Sequence, residues 1–99
     1  MAHFTFDTTA QKLHDLVRGM NPWPVAFFEY GGKKVKVLQS RIAGNPEDAK
    51  PGTVLALKPL TIACHADALQ LLSVTPEGGR PMDGPAWAAG RRLKVGDSL

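Results

Sequence analysis

The sequence predicts a mainly β domain: a small antiparallel barrel or sandwich, preceded by one α-helix and followed by a short helical turn. Two observations favour this fold class. Short runs rich in strand-forming residues, about five in all, follow one another at close spacing with turn-forming residues between them. One segment near the start has helical periodicity instead. A length of 99 residues suffices for one core. We therefore interpret residues 1–99 as a single domain, with residues 1–5 as a linker or an added segment.

The helix is predicted over residues 6–20, in the segment FDTTAQKLHDLVRGM. Asp7, Thr8 and Thr9 are each suitable N-caps, because their side-chain oxygens accept hydrogen bonds from free backbone N–H groups. Thr8 together with Gln11 also matches the spacing of a capping box. One apolar face then recurs at helical spacing; its members are Ala10, Leu13, Leu16, Val17 and Met20.

The sequence NPWP at residues 21–24 predicts a rigid and extended exit from the helix. Pro22 disfavours helical angles at Asn21, and Pro24 does the same at Trp23. The prolines therefore end the helix and fix the direction of the chain. The indole of Trp23 is expected to be buried beside the bend.

A β-hairpin is predicted next. Residues 25–30, VAFFEY, are rich in strand formers, and the Gly-Gly pair that follows them supplies the positive φ angles of a tight turn. In residues 33–43, KKVKVLQSRIA, two valines alternate with Lys34 and Lys36. This alternation predicts a returning strand with an apolar inner face and a cationic outer face.

The rest of the chain is predicted as strands separated by loops. A loop at residues 44–52 is followed by the strands TVLAL and LTIAC with a Lys-Pro break between them, then by a turn at HAD and the strand ALQLLSVT. The segment PEGGRPMDGP is another loop by composition. Residues 86–90, AWAAG, are predicted to form at most a short helix, with Asp83 or Gly84 near its start and Gly90 past its end.

Residue patterns typical of enzymes are missing from the sequence. It has no glycine-rich phosphate loop before a helix and no nucleophile elbow, and its histidines do not cluster with other ligands at metal-binding spacing. Cys64 is the single cysteine, and its apolar surroundings predict a small buried hydrophobe rather than a reactive thiol. Since neither a membrane span nor a signal peptide is visible, we expect a cytoplasmic protein with no membrane partner.

The basic residues are the main functional indication. A net charge of +3 and a pI near 9.3 favour an anionic partner. Charge alone leaves two interpretations open: a solvated sheet face, or a groove that follows nucleic-acid phosphates. Phe27, Phe28 and Tyr30 are candidate base-stacking side chains, although at least one of the two adjacent phenylalanines is expected to face the core. The candidate nucleic-acid-binding cations are Lys33, Lys34, Lys36, Arg41, Arg80, Arg91, Arg92 and Lys94.

Several segments in a fixed order resemble the C-terminal domain of methionyl-tRNA formyltransferase. They are RGMNPWPVAFFEYGGKKVKVLQS, PGTVL, LTIAC with ALQLL, and VTPEGGRPM with GRRLKVGDSL, and together they cover the chain from about Phe6 to Leu99. The set is specific as a whole, whereas each segment alone is weak. Two positions depart from the family pattern: Val25 stands where glycine is common, and His65–Asp67 replaces a turn that usually resembles GDG. The geometry of that turn is therefore left open.

The resemblance implies an open, OB-like barrel carried behind a larger Rossmann-type catalytic domain. In the family, that catalytic domain binds 10-formyltetrahydrofolate and transfers its formyl group to methionyl-tRNA. No residue of this chain matches the catalytic motif, so we expect no catalytic residue, metal or cofactor in this domain. The expected partners are initiator tRNA, held weakly through the basic surface, and the catalytic formyltransferase domain. The alternative is a structural domain of a related enzyme, a sugar-nucleotide formyltransferase or formyltetrahydrofolate dehydrogenase, that packs on the catalytic domain without binding RNA.

Overall fold

The computed structural model describes residues 2–20 and 26–99. The strands in these ranges are β1 Ala2–His3, β2 Ala26–Tyr30, β3 Lys33–Ala43, β4 Val54–Leu57, β5 Leu60–Ala63, β6 Ala68–Pro76 and β7 Met82–Asp83. The helices are α1 Ala10–Met20 and α2 Gly84–Gly90. The strands form one sheet in the order β1-β2-β3-β6-β5-β4, and β7 pairs with β6 beside this path.

The sheet is open, because in the described ranges no pairing joins its end strands β1 and β4. Every strand pairing is antiparallel except that of β1 with β2. The end of the chain instead bonds to the start of β4: Val54 donates its N–H to the carbonyl of Asp97 at 2.7 Å, and Leu99 donates to Gly52 at 2.8 Å. A mainly antiparallel open sheet with a helix before it and a short helix after it confirms the predicted fold class.

Helix α1 begins directly after Thr9, which caps it. The Thr9 hydroxyl accepts a hydrogen bond from the backbone N–H of Lys12 at 3.1 Å, so Thr9 is the N-cap among the three candidates. The predicted capping box of Thr8 and Gln11 is wrong, because Gln11 donates its side-chain amide to Asp15 instead. The predicted apolar face is confirmed where it is described: Ala10, Leu13 and Val17 are buried, and Leu16 is half-buried.

The predicted exit at NPWP, including the burial of Trp23, lies outside the described residues, as does Val25. The hairpin that follows is confirmed. Gly31 and Gly32 have φ angles of 61° and 79°, the left-handed values that a tight turn between antiparallel strands requires. Val35 and Val37 are buried on β3, so the intervening lysines project from the opposite face of the strand.

Two features of the sheet were not predicted. The register between β3 and β6 shifts between Val37 and Ser40, which marks a β-bulge in a segment predicted as a regular strand. Strand β7 lies within the predicted loop PEGGRPMDGP and pairs Met82 with Val74 of β6. A strand of only two residues has no periodicity by which the sequence could indicate it.

The turn between β5 and β6 keeps a left-handed residue without glycine, because Asp67 has a φ angle of 63°. Aspartate tolerates this conformation better than most residues. Helix α2 begins after Asp83, whose carboxylate accepts a hydrogen bond from the N–H of Ala86 at 2.7 Å, as predicted. The helix runs one residue further than expected, since Gly90 is its last residue and Arg91 is the C-cap.

The core lies between the inner face of the sheet and the two helices, around the fully buried Trp87. Phe28 meets the Trp87 ring edge-on at a centroid distance of 5.7 Å. Phe4 and Phe6 extend the aromatic cluster from the N-terminal segment, with ring centroids 5.5 Å apart. In residues 2–20 and 26–99, the structure contains no helix long and apolar enough to span a bilayer.

Candidate nucleic-acid interface

Three of the predicted cations line one cleft beside the β2–β3 turn. This cleft, here called the hairpin cleft, has a volume of about 220 Å³. Its lining comes from the hairpin, from the loop after β6 and from the end of α2. The lining residues are Tyr30, Gly31, Lys33, Lys34, Val35, Pro76, Glu77 and Arg91. The structure therefore joins Lys33 and Lys34 to Arg91, which lies far from them in sequence.

Backbone hydrogen bonds fix one wall of the hairpin cleft. Glu77 donates its N–H to the carbonyl of Lys34 at 2.9 Å. Lys34 in turn donates its own N–H to the carboxylate of Glu77 at 3.1 Å. This reciprocal pair holds the loop after β6 against β3 and holds the Glu77 carboxylate at the wall of the cleft. This role of Glu77 was not predictable from the sequence, because a glutamate in a loop usually lies free in solvent.

A buried aromatic group positions the opposite side of the hairpin cleft. The ring of Tyr30 meets Trp87 edge-on at a centroid distance of 5.4 Å. The guanidinium of Arg91 lies over the same indole, 5.3 Å from its centroid, within the range of a cation–π interaction. Trp87 therefore orients two residues that line the cleft.

The outer face of the hairpin carries the next group of cations. Lys34 pairs across the hairpin with Glu29, and Lys36 pairs with Phe27. The Lys34 ammonium lies 5.1 Å from the centroid of the Phe27 ring. The ring of His3 stacks on Phe27 from the neighbouring strand, also with a centroid separation of 5.1 Å. Lys34 and Lys36 thus share one face, since residues two apart on a strand point the same way.

The remaining candidates do not line the hairpin cleft. Arg41 lies five residues further along β3 than Lys36, beyond the β-bulge. Arg80 is exposed in the loop before β7. Arg92 is exposed and has a left-handed φ angle of 56°. Lys94 is exposed, and its backbone N–H donates to the Asp97 carboxylate at 2.8 Å.

The eight candidate cations make no ion pair with the carboxylates of the described ranges. The ion pair found there joins Arg18 to Asp15 at 2.7 Å. His3 lies 3.8 Å from Glu29, and His65 lies 3.9 Å from Asp7, contacts that are ionic only when the imidazole is protonated. The hydrogen bond from Arg18 lowers the pKa of Asp15 below its usual value. Cations without a carboxylate partner remain free to contact an external anion.

The structure also shows how far the three predicted base-stacking rings are buried. Phe28 belongs to the core, as expected for one member of the adjacent pair. Phe27 is also buried, because His3 and Lys34 cover it, so neither ring offers a free face to a base. Tyr30 is half-buried.

Other candidate chemistry is limited. Burial raises the pKa of the Cys64 thiol to about 11, which disfavours the reactive thiolate. Within the part of the chain that the structure describes, no three histidine, cysteine or acidic side chains gather as a metal site. The Nδ1 atom of His14 forms a hydrogen bond of 2.8 Å with the hydroxyl of Ser40. This bond links α1 to β3.

Comparison with known proteins finds one matching family model and several similar proteins. A family model described as "Formyl transferase, C-terminal domain" matches residues 1–92. Methionyl-tRNA formyltransferase of Methylobacterium nodulans is 43% identical over 94 residues, which is 91% of this chain and 29% of the relative. The proteins of the same name from Macrococcus caseolyticus and Bacillus subtilis are 36% and 33% identical, over 94% and 92% of this chain. The chain spans 30% of the length of each of these two relatives.

Proposed function

Because the chain belongs to the formyl transferase C-terminal domain family, we propose that it helps to hold an initiator methionyl-tRNA for formylation by a separate Rossmann-type catalytic domain. The relatives that it resembles are named methionyl-tRNA formyltransferases. We assign 10-formyltetrahydrofolate, the formyl donor, to the catalytic domain rather than to this one. A domain that acts on initiator tRNA would work in the cytoplasm.

The observation that carries this proposal is the group of exposed and half-buried cations that form no ion pair with a carboxylate of the described ranges. Lys33, Lys34 and Arg91 meet at the hairpin cleft, and Lys36 continues the basic surface along β3. Lysine and arginine contacts to phosphates supply affinity and orientation without reading sequence. Such a surface suits a domain that holds a tRNA while another domain performs the reaction.

Titration with initiator tRNA at two salt concentrations tests the proposal. With about three to five phosphate contacts, the logarithm of the affinity should fall with the logarithm of salt concentration at a slope of roughly −0.7 to −0.9 per contact. We expect a Kd of about 10⁻⁴ to 10⁻⁶ M, the range of non-specific binding at physiological salt. No binding at low salt, or binding that salt does not weaken, would contradict the proposal.

A second candidate function is docking on the catalytic domain, and one observation favours it. Val95 is 63% exposed and is the one large hydrophobic side chain found exposed in residues 3–19 and 26–99. It borders a cleft of about 390 Å³ next to β4. A domain that serves only this purpose would also fit a sugar-nucleotide formyltransferase or formyltetrahydrofolate dehydrogenase.

Mixing the chain with the isolated catalytic domain of a relative tests the docking function. Calorimetry should detect association, and Val95→Ser should weaken it, whereas Lys36→Gln, on β3 and outside the lining of this cleft, should not. If Val95→Ser left the association unchanged, docking through the surface around Val95 would be contradicted.

A further inference from the structure

We propose that the hairpin cleft is a discrete site for one phosphate group of an RNA strand, with Lys33 and Arg91 as its cationic ligands and Glu77 as the residue that limits its affinity. The inference rests on the proposed function, since it names where on the domain a tRNA phosphate is held. It goes further in assigning unequal roles to the eight cations and a role to an acidic residue.

The first argument is the convergence of two cations from separate elements. Lys33 follows the Gly-Gly turn directly, and Arg91 caps the end of α2. Both are exposed and border the same cleft. A volume of about 220 Å³ lies below the range of roughly 300 Å³ and more typical of sites for drug-sized ligands. The cleft therefore suits a single small group rather than a folate or an intact nucleotide.

The second argument is preorganisation. The stack on Trp87 restricts the Arg91 guanidinium, so less side-chain entropy is lost when it binds a ligand. A planar guanidinium can then form two parallel hydrogen bonds to phosphate oxygens. The tight turn before Lys33 fixes the backbone of the opposing cation. Arg80, which is exposed in its loop, has no such aromatic stack in the described structure.

The third argument concerns Glu77. Its carboxylate accepts the N–H of Lys34 and lines the cleft, yet in the described ranges it forms no ion pair with Lys33 or Arg91. A bound phosphate would therefore meet a fixed negative charge as well as two cations. Removing that charge should strengthen binding, because like charges at short range repel.

The principal experiment compares two double variants with the same change in net charge. Lys33→Gln with Arg91→Gln removes the ligands of the cleft, and Arg41→Gln with Arg80→Gln removes cations outside it. Initiator tRNA affinity is measured at about 50 and 200 mM salt, the range over which phosphate contacts lose strength steeply. We expect the cleft variant to lose at least about tenfold in affinity and to reduce the salt slope by roughly 0.7 to 0.9, the equivalent of the one phosphate that the cleft holds. The control should lose less than about threefold.

Equal losses of affinity in the two double variants would contradict a discrete phosphate site in the hairpin cleft. They would indicate that a diffuse basic surface binds the tRNA, so the proposed function would survive. A wild-type chain that binds no tRNA would overturn the proposed function itself. The two failures are therefore distinguishable.

A second comparison keeps the inference falsifiable if Arg91→Gln disturbs the fold. Glu77→Gln retains an oxygen to accept the Lys34 N–H but removes the negative charge. We expect about two- to fivefold tighter tRNA binding for this variant and less than a twofold change for Glu47→Gln, which makes the same charge change in the exposed loop before β4. Unchanged or weaker binding by Glu77→Gln would contradict a phosphate in this cleft.

Discussion

The guanidinium carbon of Arg91 lies 5.3 Å from the centroid of the buried Trp87 ring. Tyr30 contacts the same ring edge-on, so a single core side chain positions two residues at the hairpin cleft. The electron-rich face of an indole attracts a cation. Arg91 therefore contributes to the packing around Trp87 as well as to the exposed basic surface.

We expect Arg91→Ala to lower the free energy of unfolding by about 0.5 to 1 kcal/mol, the contribution of an exposed cation–π contact. Urea denaturation measures the change. Arg80→Ala is the matched control, because in the described ranges the Arg80 side chain makes no hydrogen bond, ion pair or ring contact. It should alter stability by less than about 0.5 kcal/mol. Equal changes in the two variants would show that the stack adds nothing to stability.

The start of α2 requires a glycine for close packing. A Cβ atom at Gly84 would overlap the carbonyl oxygen of Leu71 and approach Leu60 Cβ to 3.2 Å. Because the obstacle is backbone, it cannot move aside cheaply, and we expect Gly84→Ala to cost at least about 1 to 3 kcal/mol of stability. Thermal unfolding measures this loss.

Gly90, at the other end of α2, is the control for Gly84. A Cβ there would meet no atom within 4 Å. Alanine is the better helix former, so Gly90→Ala should raise stability by up to about 1 kcal/mol. A loss in Gly90→Ala as large as that in Gly84→Ala would contradict the steric explanation.

Local chemistry made much of the fold predictable. The β2–β3 hairpin follows from a Gly-Gly turn between two runs of strand formers, and Lys33–Ala43 has the bounds predicted for the returning strand. The β-bulge between Val37 and Ser40 and the short strand Met82–Asp83 were not predictable. Both depend on the register against β6, which side chains distant in sequence determine.

The candidate site was predictable only as a list of charges. The sequence shows that Lys33 and Lys34 are neighbours, but it contains nothing that places Arg91 beside them. Arg91 lines the same cleft because α2 packs on the core through Trp87. The role of Glu77 was equally hidden, because it depends on a hydrogen bond across 43 positions of the chain. When the residues of a site are distant in sequence, they can be identified only once the fold is known.

The buried thiol of Cys64 predicts a stability change at alkaline pH. Its pKa is raised to about 11 from a reference value of 9.0, mainly by burial. The folded state therefore keeps its proton where the unfolded state loses it, so this contribution to stability is full below pH 9 and is lost as the pH rises towards 11. Between these values the wild type should lose about 2 kcal/mol more stability than Cys64→Ala, at 1.36 kcal/mol per pKa unit. Urea denaturation at pH 9, 10 and 11 measures the difference, and parallel pH profiles would contradict it.

Arg92 follows the C-cap of α2, and the effect of its backbone conformation on stability can be measured separately from the effect of its charge on RNA binding. Leu93 donates its N–H to Ala88 and Arg92 donates to Ala89, the hydrogen-bond pattern of a Schellman motif. Arg92 occupies the left-handed position of this motif at a φ of 56°, where glycine is usual and a side chain costs roughly 1 kcal/mol.

We expect Arg92→Gly to be about 1 kcal/mol more stable than Arg92→Ala in urea denaturation, because only glycine relieves the left-handed strain. Both variants lose the same charge, so they should bind tRNA equally at a given salt concentration. If Arg92 contacts a phosphate, both should also show a salt slope smaller by about 0.7 to 0.9. Equal stability of the two variants would mean that the Schellman motif loosens when the arginine is removed. Unequal tRNA binding would mean that the geometry of this turn, and not the charge of Arg92, sets its contribution.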